Sequence, residues 1–149
     1  MNGDKRKPPE KECYIPTQDI SCVLCQEKTE DSNHLFFSCQ KATEVWYDLL
    51  SWIGKSAALH SSASNHLMGF SNIGHKKDIL FLTGLWICTV WCIWKKRNDI
   101  RFKQGKWSRD GVTAEIKSHV WSWLQVFSKY GSSADFSFRD WFNVVPLAN

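Results

Sequence analysis

The sequence predicts a mainly α fold in which a small knuckle of Cys and His residues precedes about three amphipathic or buried helices. Three observations predict it. Four potential metal ligands crowd residues 22–39, apolar residues then recur at helical spacing in three separate stretches, and no stretch shows the period-2 alternation of a half-buried strand. Hydrophobic residues make up 43% of the 149, with nine Trp and nine Phe, so an aromatic-heavy core is expected rather than a disordered chain.

Residues 1–12 are charged and carry Pro8 and Pro9, which reads as a flexible tail. Residues 13–54 read as a metal-binding module with its following helix. In that helix Ala42, Val45, Trp46, Leu49 and Ile53 form one stripe, and Gly54 is a natural stop. Residues 55–75, rich in Ser, His and Asn, read as a loop with a short turn near 66–70. Residues 76–131 read as a helical body. Its first half is apolar on nearly all faces and is expected to be buried; its second half turns basic. Gly105 can end the first of its helices and Ser108 can cap the next, whose stripe is Ile116, Val120, Trp123, Leu124 and Phe127, with Gly131 closing it. Residues 132–149 form an aromatic C-terminal tail with Phe136, Phe138, Trp141 and Phe142.

The opening residues contain no apolar secretory segment, so the six Cys are expected to be thiols or metal ligands in an intracellular protein of the nucleus or cytoplasm. The uncharged run 79–94 is short for a bilayer helix, which needs about 20 residues. Its three Trp are spread along it. A buried core helix is the expectation, with no membrane.

The spacing Cys22-x2-Cys25-x8-His34-x4-Cys39 is that of a zinc site. Two residues between thiolates let a tight turn aim both sulfurs at one ion, and the next eight can turn back to deliver the second pair. Residues 34 and 39 lie about 140° apart around an unbroken α-helix. A helix beginning at residues 31–33 must therefore break between residues 38 and 41. Four protein ligands leave no open position, so one structural Zn2+ is expected. Cys13 is expected to be free. Cys88 and Cys92, four apart among Trp and Ile, could share a metal but read as inert core thiols. His60, His66, His75 and His119 read as loop or surface residues.

The string CVLCQEKTEDSNHLFFSCQKATEVWYDLLSWIG resembles the zinc-binding region of plant non-LTR (LINE-type) retrotransposon reverse transcriptases, through its CxxC, its HLFFSC block and the following Ala42, Val45 and Trp46. The segment WCIWKKRNDIRF is similar to a second block of the same proteins, and the likeness extends over about residues 14–130. The resemblance implies a Cys2HisCys zinc site at Cys22, Cys25, His34 and Cys39. It also implies interaction with RNA or single-stranded DNA beside a reverse transcriptase or other retroelement protein. These residues carry no adjacent Asp-Asp pair and no ribonuclease H motif, so an enzyme is not expected.

From Lys76 to Lys106 eight Lys or Arg face two Asp, whereas the knuckle carries Glu27, Glu30 and Asp31 against Lys28. Lys95, Lys96, Arg97, Arg101, Lys103 and Lys106 are the candidate phosphate contacts. Trp91, Trp94, Asn98 and Phe102 share one helix face that is expected to lie in the core, with the cations solvated opposite. Phe36 or Phe37 is expected to dock the acidic knuckle onto the Trp46 helix. The rival reading is a protein–protein or relic domain with structural zinc and no nucleic-acid affinity.

Overall fold

The computed structural model describes residues 20–128, with side chains to residue 125. The charged and aromatic tails, Cys13, the Phe127 side chain and Gly131 lie outside the described residues. Within them the chain is a short hairpin, a π-helical turn His34–Ser38, and four α-helices: α1 Gln40–Trp52, α2 Ala63–Ser71, α3 Ile79–Lys103 and α4 Arg109–Ser128. A 3-10 turn, Lys76–Asp78, leads into α3. The β pairing among the described residues is one isolated antiparallel bridge, Ser21 to Thr29.

Helix α1 forms because its apolar stripe matches the helical period. Ala42, Val45, Trp46, Leu49 and Ile53 are all fully buried. It stops where Gly54 takes φ +67°, and Lys55 N–H reaches back to Leu50 O at 2.9 Å, closing the helix end. Helix α2 lies inside the stretch expected to be a loop. Its N-terminal turn follows Ser62, and it holds by burying only His66 and Phe70, four residues apart on one face. His66 is thus a core residue rather than a surface one.

Helix α3 packs against α2, α4 and the π turn, and α4 also packs on α1. Leu82, Leu85, Cys88, Thr89, Cys92 and Ile93 form its buried side. The expectation of burial all round fails, because these partners cover only part of the circumference. Leu80, Ile87, Trp91, Trp94 and Phe102 are exposed. The face carrying Trp91, Trp94 and Phe102 therefore looks outward, and the core face is offset from it. Lys76–Lys103 is long and apolar enough to cross a membrane by length and composition alone, with a third of its apolar window buried in this fold.

Helix α3 ends at Lys103. Gln104 adopts the left-handed conformation (φ +56°), and Gly105 N–H bonds Asp99 O at 3.1 Å. Ser108 then caps α4, its Oγ accepting Gly111 N–H at 3.1 Å. Ile116 and Val120 are buried as their spacing requires, while Trp123 is 42% exposed. Its ring lies over Gly84, where a Cβ would meet it at 3.5 Å.

Candidate metal centre

The first two ligand candidates sit on a hairpin knuckle. Cys22 N–H donates to Lys28 O and Gln26 N–H to Cys22 O, at 2.8 and 2.7 Å. Gln26 takes φ +60° to make the turn. That conformation directs the following backbone N–H groups inward: those of Glu27 and Lys28 hydrogen-bond the Cys25 sulfur. The N–H groups of Cys25 and Leu24 serve Cys22 in the same way.

The second pair comes from the π turn. Asp31 accepts His34 N–H on its carboxylate at 2.9 Å and starts the turn. Cys39 N–H then closes on His34 O at 2.7 Å, an i to i+5 bond. The wider turn brings residues 34 and 39 back onto one side, which the tighter α-helix cannot do. Cys39 itself is extended (ψ 129°), so the helix breaks there before α1 starts at Gln40. The expected break falls within the range read from the sequence, and the widened turn before it had no signal beyond the five-residue spacing.

The four candidate ligand atoms lie within 4.8 Å of one another. Cys22 Sγ and Cys39 Sγ are 3.9 Å apart, and Cys25 Sγ and His34 Nε2 are 3.3 Å apart. A tetrahedron with Zn–S of about 2.3 Å and Zn–N of about 2.0 Å separates two sulfurs by about 3.8 Å and sulfur from nitrogen by about 3.5 Å. The residues present therefore fit a tetrahedral ion, and the cluster is capable of coordinating a metal. Cys22, Cys39 and His34 are buried and Cys25 is partly exposed. His34 offers Nε2 while its Nδ1 lies 3.4 Å from Ser38 Oγ, a contact of the kind that fixes a ligand imidazole.

The thiols are unequal. Burial pushes Cys39 up to about 12, with the neighbouring thiols adding to the effect. Burial raises Cys22 as well. Burial also acts on Cys25, but the N–H of Glu27, the His34 ring and the N–H of Lys28 outweigh it and hold that thiol down, to about 7. Of the three thiols, Cys25 is the one held closest to its thiolate form.

An aromatic contact set and an ion pair anchor this unit to the helices. Phe37 is buried, its ring stacked 6.4 Å from Trp46 and 5.7 Å from Trp86. Trp46 Nε1–H donates to Phe36 O at 2.8 Å. The expected docking of the knuckle onto the Trp46 helix is observed in this form. Arg97 of α3 donates from Nε and Nη2 to Glu30 Oε1 at 2.9 and 2.6 Å, and Glu30 Oε2 accepts Val23 N–H at 3.3 Å. Sequence reasoning offered Arg97 as a phosphate contact. The structure instead places it in a mostly buried bridge, because the acidic knuckle folds against α3.

The other candidate cations are scattered. Lys95 bridges Glu115 at 2.5 Å and Lys96 bridges Asp99 at 3.4 Å. Lys103 and Lys106 are exposed, and Arg101 is half-buried beside Ile100 at a small hollow under the hairpin. The exposed Trp91 and Trp94 rings stack at 5.2 Å, with Phe102 farther along the same helix.

Sequence reasoning missed His66. It sits among Trp46, Phe37 and Phe70, with Trp86 Nε1–H donating to its Nδ1 at 3.0 Å. Its spacing of four from Phe70 was the available signal.

Residues 11–46 match the family model described as zinc-binding in reverse transcriptase. No curated protein and no solved structure matches the chain. The matched segment ends at Trp46, so it takes in the hairpin, the π turn and the first half of α1. The assignment is to a non-catalytic, metal-binding unit, in keeping with a cluster of four closed ligands. A zinc-binding domain of the reverse-transcriptase family is therefore identified over residues 11–46.

Proposed function

We propose that this is a non-catalytic module derived from a plant-type non-LTR retroelement reverse transcriptase, in which one structural Zn2+ held by Cys22, Cys25, His34 and Cys39 clasps a helical body. That body binds single-stranded RNA or DNA along the outer face of α3. The observation that carries the reading is the Trp91–Trp94 stack, 53% and 45% exposed. Stacked rings in water give up apolar contact that a core would have satisfied, and unpaired bases stack on such platforms regardless of sequence. Beside them Trp94, Lys95, Lys96, Asn98, Phe102 and Lys103 line an open hollow of about 380 Å³. Lys103 and Lys106 continue the positive charge past the helix end. Arg97 serves differently, tying the clasp to α3 and so fixing the platform's orientation.

The test is a salt-titrated binding assay on zinc-loaded protein with single-stranded RNA and DNA. Trp91→Ala with Trp94→Ala is expected to weaken binding about 10-fold or more, since one stacked base contributes about 1–3 kcal/mol. Lys103→Ala with Lys106→Ala is expected to reduce the salt slope by about 1.4, at roughly 0.7 per phosphate contact for single strands. Absence of binding at low salt would instead favour the protein-interaction reading. That reading has its own support in an apolar groove of about 590 Å³ between α3 and α4, lined by Leu80, Phe81, Ile87, Val120, Trp123 and Leu124.

A further inference from the structure

The α3–α4 interface brings together side chains that look unrelated in the sequence. Cys88 and Cys92 lie one turn apart on α3; Glu115 and His119 lie one turn apart on α4. Residues four apart share a helix face, so each helix presents a pair of potential ligands to the other. Cys88 Sγ points at Ile116 O, 3.9 Å away, which sets this part of α3 directly against residues 115–119. His119 Nε2 is 3.5 Å from Glu115 Oε1. Cys92 Sγ, a Glu115 carboxylate oxygen and a His119 ring nitrogen all lie within 4.8 Å of one another.

We infer that Cys92, Glu115 and His119 form a second divalent-metal site, separate from the Cys2HisCys cluster and suited to Zn2+. Three features point there. The donor set is one thiol, one carboxylate and one imidazole, a combination that borderline ions such as Zn2+ accept. The observed 3.5 Å between oxygen and nitrogen is close to the roughly 3.3 Å that two ligands about 2.0 Å from one tetrahedral ion must keep. The site is also half open: Cys92 is fully buried, whereas the Glu115 and His119 side chains are 38% and 44% exposed, so an ion has a route in. Three protein ligands leave a fourth position for water.

Lys95 is the built-in competitor. Its ammonium lies 2.5 Å from Glu115 Oε1, where it neutralises the carboxylate that an ion needs. Metal binding must displace this lysine, so the site is weaker than the four-ligand cluster and tightens when the lysine is removed.

The test is a Zn2+ titration of the full reduced chain by calorimetry, with bound metal counted after gel filtration. Two ions per chain are expected, one tight and one weaker. His119→Ala, a substitution at the surface, is expected to lose the weaker ion alone and keep the native helical signal. Lys95→Ala is expected to tighten the weaker ion by 10-fold or more. Cys25→Ser is expected to lose the tight ion and keep the other, which separates this inference from the first site. A single ion per chain that His119→Ala leaves in place, or two ions retained in that variant, would overturn it.

Discussion

His66 allows the packing account to be tested through acidity. The ring is 1% exposed, with its centroid 4.5 Å from Trp46 and 4.8 Å from Phe37. Nδ1 accepts the Trp86 indole N–H, and Nε2 has no hydrogen-bond partner among the described residues. A proton added to Nδ1 would break the Trp86 bond and put a charge among apolar rings. Burial, helped by the charge of His60, accordingly holds His66 down from 6.5 to about 4. The unfolded chain takes up this proton first as the pH falls. The neutral ring's contribution to stability is therefore complete above about pH 6.5, falls between 6.5 and 4, and is gone below that. Between pH 7 and pH 4.5 the loss from this one group works out at about 2 kcal/mol. His66→Asn keeps an acceptor near the Nδ1 position and removes the titration. Urea unfolding of both chains at the two pH values gives the comparison. Acid weakens the metal cluster equally in both, so the difference between their pH-dependent losses isolates His66. Equal losses in the two chains would refute the reasoning.

Other perturbations follow from the same structure. Cys25→Ser leaves the knuckle without one thiolate and is expected to unfold the residues up to about 39 while α3 and α4 partly persist, seen as protease sensitivity confined to the N-terminal segment; structural zinc supplies folding free energy on the order of 10 kcal/mol in small modules. Arg97→Ala strands the mostly buried Glu30 carboxylate and is expected to lower stability by about 2–3 kcal/mol in denaturant unfolding, less than the 3–5 kcal/mol of a fully buried pair. Gln104→Gly relieves a left-handed non-glycine residue at the end of α3 and is expected to raise stability by up to about 1 kcal/mol in thermal unfolding.

What the sequence disclosed is what local spacing encodes. The buried stripe of α1 is complete from Ala42 to Ile53, and the four candidate ligands do converge. The cap at Ser108 is also where a reading of side-chain chemistry puts it. What stayed hidden depends on partners distant along the chain. The pairing of Glu30 with Arg97 spans 67 positions and turns a presumed surface cation into a structural one. Periodicity shows that α3 is apolar, but not that α2, α4 and the π turn leave Trp91 and Trp94 uncovered. Helix α2 has too few buried residues for a stripe to stand out, and its stability comes from the aromatic cluster around His66. Glu115 and His119 gain meaning only when α4 lies against Cys92.

The most direct test of the metal clasp is zinc-edge X-ray absorption on the zinc-loaded His119→Ala chain, in which the first cluster alone should be filled. The expected spectrum fits three sulfurs at about 2.3 Å and one nitrogen at about 2.0 Å. A shell dominated by oxygen or nitrogen, or chain that retains no zinc after gel filtration, would contradict the clasp and the functional reading built on it.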